Sequence, residues 1–149
     1  MKIYFGADHD GNPLKEVIKN ELKRDGYEIY DLSPSTPEGG DDYPDYAFAV
    51  AEEIAKDADA RGILICDTGI GMSIAANKIK GARAALVLDT FGAKRAREHN
   101  DANIIVFGTS EIKKNVAIES TKYFLETMFS SAERHVRRVG KINLRDRFC

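Results

Sequence analysis

The chain is poor in cysteine and histidine and has no surplus of positive charge. It holds two cysteines and three histidines, with 22 Lys and Arg against 24 Asp and Glu. Two cysteines in unlike settings, Cys66 and Cys149, do not make a disulfide framework, so both thiols are expected to be reduced in a cytoplasmic protein. The net charge of −2 argues against a nucleic-acid partner. No apolar run approaches the ~20 residues of a membrane span. The apolar start Met1–Ala7 is cut off by Asp8 and is too short for a secretory signal. None of His9, His99 and His135 has a second His or Cys two to four residues on, so no metal site is expected. The G-x-G-x-x-G and G-K-[ST] phosphate loops are both absent, which excludes the usual nucleotide cofactors from the expectation.

What the chain does have is the composition of one globular domain over residues 1–149, 43% hydrophobic and 31% charged. Apolar runs alternate with helix-periodic segments. Strands are expected at Lys2–Ala7, Tyr27–Leu32, Gly62–Cys66, Arg83–Leu88 and Asn103–Phe107. Helices are expected around 14–22, at 45–56, at 71–78, at 90–98 and at 111–128, with a Pro-, Gly-, Ser- and Asp-rich loop over 33–43. Strict alternation implies an α/β fold with a five-stranded parallel sheet between two helical layers, a Rossmann-like three-layer sandwich. The tail 131–149 carries Arg134, Arg137 and Arg138 with Val136, Val139, Ile142 and Leu144. These apolar residues are too few for a core, and the tail is expected to pack on a partner subunit. The three arginines suit either a solvated helix face or a phosphate grip.

Parallel α/β sheets bind ligands beyond the carboxyl ends of their strands. Asp8 and His9, Cys66 to Gly71, Asp89 and Thr90, and Gly108 to Ser110 all fall there. Cys66-Asp67-Thr68-Gly69-Ile70-Gly71-Met72-Ser73 is the most informative stretch: a thiol at a strand end, a glycine turn, then a helix start. Helix amides stabilise anions and lower thiol pKa values, so a reactive Cys66 is expected beside an anion hole. That pairing suits proton transfer next to a carbonyl, because the enediolate formed is an anion. The competing reading is a small buried thiol followed by a tight turn.

Several blocks together resemble the ribose-5-phosphate isomerase B family, which also includes galactose- and allose-6-phosphate isomerases. They are Gly6-Ala7-Asp8-His9, Asp42-Tyr43-Pro44-Asp45-Tyr46-Ala47, Gly62 to Cys66, Thr68 to Lys78, Gly81 to Ala85, Arg97 to Asn103, and Arg134 to Arg138. The resemblance implies an aldose–ketose isomerase that acts on a sugar phosphate without cofactor or metal, as a homodimer or dimer of dimers with sites at the interface. It implies the interconversion of ribose 5-phosphate and ribulose 5-phosphate, with another sugar phosphate or a free sugar as the alternative. A non-catalytic sugar-phosphate-binding subunit is the alternative from another class. By the same resemblance Cys66 is the base, and a second branch of the family carries a Glu where this chain has Met72. The amides of Thr68 to Gly71 hold the enediolate, Thr68 with a catalytic part and Ile70 and Ser73 among the contacts. His99 with Asn100 comes from the neighbouring subunit to open the sugar ring. Asp8 and His9 contact the sugar, Tyr43 lines the pocket, and Arg134 and Arg138 grip the phosphate. Two positions depart from the family pattern: Asp67 stands where a small neutral residue is usual, and Ser110 where an Arg is usual. Asp67 is expected to accept hydrogen bonds from the sugar and to raise the Cys66 pKa. Both departures predict weaker use of ribose 5-phosphate than in a typical member.

Overall fold

A computed structural model describes residues 1–34 and 40–146. Part of the expected 33–43 loop, and Arg147 and Cys149 of the tail, lie outside the described residues. The elements run β1 Lys2–Ala7, α1 Asn12–Arg24, β2 Glu28–Asp31, α2 Tyr43–Lys56, β3 Arg61–Cys66, α3 Ile70–Ala76, β4 Ala84–Leu86, α4 Thr90–Asn100, β5 Ile104–Gly108, α5 Lys114–Glu126 and α6 Glu133–Arg145. All strand pairs are parallel, in the order β2-β1-β3-β5-β4. The chain steps outward from β1 to β2, then returns to place β3 on the other side of β1. This reversal leaves a crevice beyond the carboxyl ends of β1 and β3.

Alternating side chains of the central strands feed two cores. Ile3, Phe5, Ile63, Ile65, Ile105 and Phe107 meet α1, α4 and α5 on one face. Tyr4, Leu64, Cys66, Ile104 and Val106 meet α2 and α3 on the other. The three-layer arrangement therefore follows from strands that are apolar on both faces.

Observed bounds differ from the expected ones where edge geometry or turns decide. β4 covers Ala84–Leu86 rather than Arg83–Leu88, because it is an edge strand and the Arg83 amide is taken by the Asn103 side chain. The helix expected from Glu111 begins at Lys114, because the amides of Glu111 and Ile112 both turn back to the Gly108 carbonyl. The tail forms an amphipathic helix, α6, laid against α4. Of its four apolar residues only Val139 is buried, and Val136, Ile142 and Leu144 stay about half exposed.

The turn after β3 is fixed to the end of β5. The amide of Thr109 donates to the Cys66 carbonyl and that of Ser110 to the Asp67 carbonyl, both at 2.9 Å. Gly108 lies so close that a Cβ there would stand 2.4 Å from the Thr68 carbonyl carbon and oxygen. Backbone cannot yield as a flexible side chain can. Gly108→Ala is accordingly expected to lower the unfolding free energy by ~1–3 kcal/mol, the usual cost of overpacking. Urea denaturation measures this; a midpoint equal to that of the parent protein would contradict the close approach.

Candidate active site

Cys66 ends β3 with its side chain on the α2–α3 face, 5% exposed, and it lines a cavity of about 570 Å3 in the crevice. The chain reverses at Gly69, whose φ of 74° is a conformation glycine adopts without strain. That reversal brings the Gly69 N–H to 3.2 Å from Sγ, where it donates. The amides of Met72 and Thr68 also act on the sulfur, so main-chain donors face it from the turn and the first turn of α3. Tyr43 seats its ring against Gly71, where a Cβ would come within 2.4 Å of the phenol.

Burial pushes the Cys66 thiol above its ordinary pKa, and the Gly69 amide opposes this without overturning it. The expectation that the helix N-terminus sets a low thiol pKa is therefore corrected: taking the charge out of water outweighs the amides. The carboxylate that raises the thiol further is Asp8, not Asp67. Asp8 is itself buried, and burial raises its own pKa while a 2.9 Å bond from the Gly11 amide holds it in place. Asp67 is exposed at the rim and accepts a hydrogen bond from the Ser110 hydroxyl, so the two departures from the family pattern are partners.

Among the expected residues, Asp8, His9, Tyr43, Cys66, Asp67, Thr68, Ile70 and Gly71 come together on this cavity. Ser73 does not line it; its hydroxyl donates to the Ile70 carbonyl at 2.8 Å, inside its own helix. Asp89 caps α4 by accepting from the Gly92 amide, and likewise does not line the cavity. His99, Asn100, Arg134 and Arg138 form a second group. α4 returns antiparallel to the strands, so His99 in its last turn lies toward their amino ends while Cys66 lies at a carboxyl end. The His99 ring stacks on His135 of α6 at 4.2 Å, with the Arg95 guanidinium 3.1 Å from His99 Nε2. His135 is buried against Ser130 and Arg134; burial first, then His99 and the arginines, lower its pKa. Within the single chain the two groups do not meet in the cavity.

The sequence points to no role for Asp41, and Tyr46 figures in it only within the 42–47 block. Asp41 Oδ1 lies 2.6 Å from His9 Nδ1, and the Tyr46 hydroxyl donates to Oδ2 at 3.0 Å. Its only sequence signal was a place among the acidic residues of a loop. Asp8, His9 and Asp10 can each bring a ligand atom within 4.8 Å of the others, a grouping that His and Cys spacing does not detect. Two of the three are already engaged, Asp8 by Gly11 and His9 by Asp41.

The model of a family described as ribose/galactose isomerase matches residues 3–142. Ribose-5-phosphate isomerase B of Mycobacterium tuberculosis is 39% identical over 139 residues, covering 93% of this chain and 86% of that protein. The structure of ribose-5-phosphate isomerase B from Mycoplasma genitalium with bound ribulose 5-phosphate superposes with a TM-score of 0.95 at 38% identity, covering 99% of this chain and 97% of that one. The Clostridium thermocellum enzyme superposes with a TM-score of 0.92 at 41% identity, over the full length of both chains.

The thiol's setting makes a prediction of its own. Alkylation of Cys66 by iodoacetamide, followed by mass spectrometry of its peptide, is expected to rise with pH around a midpoint above the ordinary thiol value of about 8.5. Asp8→Asn removes a negative charge and keeps the oxygen that accepts from Gly11, so the midpoint should move down. A midpoint that stays put or moves up would contradict the assignment to Asp8.

Proposed function

Because the chain belongs to the ribose/galactose isomerase family, we propose that it interconverts ribose 5-phosphate and ribulose 5-phosphate by proton transfer at Cys66. The observation that carries this reading is the Cys66 sulfur, set in a crevice cavity and faced by main-chain N–H groups. From aldose to ketose, the Cys66 thiolate takes the proton from C2 of the open-chain sugar. The C2–H electrons form the C1=C2 bond, and the carbonyl π electrons move to O1. The same thiol returns its proton to C1 while the O2–H proton passes to O1, leaving the ketone at C2. The anionic intermediate carries its charge on oxygen, beside the amides of Thr68 to Gly71. The raised thiol pKa leaves a small thiolate fraction at neutral pH, and it also makes Cys66 a willing donor when the proton goes back.

The ring opening and the phosphate are assigned to the second group of residues, supplied by another copy of the chain. His99 with Asn100 would open the ring, and Arg134 and Arg138 would bind the phosphate. Two observations support a shared site. Among the described residues the cavity wall bears no Lys or Arg, and the His99–Arg134 group lies outside it. Ile70, Ile74, Leu88 and Phe91 are also each more than half exposed near the cavity and the β4 edge, an apolar surface suited to a second subunit. The reading is of one domain over 1–149 that works in the cytoplasm as a homodimer or dimer of dimers, with α6 at the interface.

The paired Asp67 and Ser110 favour a second reading, in which a related sugar is turned over faster than ribose 5-phosphate. One assay decides between them: purified protein incubated with ribose 5-phosphate, galactose and allose 6-phosphates, tetrose phosphates and free sugars. Interconversion of ribose 5-phosphate is expected, and Cys66→Ala should reduce kcat by about 10²–10⁴-fold, the range for a positioned base. Absence of turnover with every sugar would overturn the isomerase reading.

The shared site has its own test. Cys66→Ala and His99→Asn proteins, each inactive alone, are mixed and allowed to exchange subunits. Hybrid dimers then hold one intact pair, and part of the activity should return. Exchange without recovery would contradict a site built from two chains.

A further inference from the structure

Both carboxylate oxygens of Asp41 are committed. Oδ1 meets the His9 ring Nδ1 at 2.6 Å and the His9 backbone N–H at 3.4 Å, and Oδ2 accepts from Tyr46 at 3.0 Å. The side chain is 11% exposed, so water competes little for these bonds. An ionised carboxylate only accepts hydrogen bonds, and the nitrogen facing it must therefore carry the hydrogen. We propose that Asp41 is a positioning residue: by taking the Nδ1–H of His9 it fixes the ring and turns Nε2 toward the substrate, as a donor to a substrate oxygen when the ring is protonated and as an acceptor when it is neutral. This deepens the isomerase reading and rests on it for the identity of the substrate.

The surroundings explain why such a device is useful. His9 is faced by Asp8 just past the end of β1, by Asp10 with Oδ2 3.5 Å from Nε2, and by Asp41 from the segment before α2. Across the cavity stand Cys66 and Asp67. No described residue lining the cavity is Lys or Arg, so His9 is the one lining residue able to bring a positive charge to an anionic sugar. The Asp41 bond, with burial opposing and Asp10 and Asp8 assisting, raises the pKa of His9. Burial would push the Asp41 carboxyl up, but the bonds from His9 and Tyr46 outweigh it and hold it below the usual range. The two shifts favour the charged pair, and the bonds keep it oriented. The imidazolium form is present below the raised value and is lost as pH rises through it.

The experiment is a pH titration of the His9 ring nitrogens by NMR in the intact protein and in Asp41→Asn, with KM and kcat measured for ribose 5-phosphate in both. Asp41→Asn should lower the midpoint of His9, and the hydrogen on Nδ1 should cease to dominate in the neutral ring. KM should rise by about tenfold, the weight of one charged hydrogen bond, while kcat changes less. Asp41→Ser gives the same readouts if Asp41→Asn fails to fold. An unmoved midpoint overturns the proposal, and so does a moved midpoint with an unaltered KM, since Nε2 would then meet no substrate atom. If no sugar is turned over, the isomerase reading fails, while the titration still decides whether Asp41 holds the ring.

Discussion

The site depends on the join between the turn after β3 and the end of β5. Two main-chain bonds tie Cys66 and Asp67 to Thr109 and Ser110, and the absence of a side chain at Gly108 lets Thr68 close on it. With that side of the turn fixed, the left-handed Gly69 can swing its amide back onto the sulfur. The main-chain donors around Cys66 follow from this packing of backbone on backbone. The parallel sheet supplies the frame, because β3 and β5 are neighbours although β4 intervenes in the chain.

Electrostatically the crevice sets two opposing demands. Carbanion chemistry needs a base and donors for negative charge, and the turn amides provide the donors. The same crevice gathers Asp8, Asp10, Asp41 and Asp67, which disfavour an anionic substrate, and Asp8 also disfavours the thiolate. Burial and Asp8 make the thiolate scarce but strongly basic. His9, held by Asp41, offsets part of the negative charge on the sugar side. The guanidinium groups of Arg134 and Arg138 belong to α6, outside the cavity. This division of charge is the physical argument for the proposal that a second copy of the chain completes the site.

Much of the frame was legible in the sequence because it rests on short-range rules. Doubly apolar strands, helix periodicity and the glycine turn after Cys66 each state their structure locally, and the strand-end rule then placed Asp8, His9 and Cys66 together. Electrostatics was less legible. The low thiol pKa expected from a helix start ignored how deeply β3 buries the sulfur, and the charge was assigned to adjacent Asp67 when the acting carboxylate is Asp8, far away in sequence. Asp41 escaped for the same reason: its bond to His9 spans 32 residues and carries no motif. The tail's helix was hard to anticipate because its apolar residues are few and mostly left uncovered in one protomer.

The central claim is that Cys66 moves a carbon-bound proton in this crevice. Incubating ribose 5-phosphate with the protein in deuterium oxide, and following C1 and C2 by NMR, tests it most directly. The account predicts deuterium entering the sugar at these carbons with the parent protein, and none above background with Cys66→Ala that still binds the sugar. Exchange at the parental rate in Cys66→Ala would contradict it.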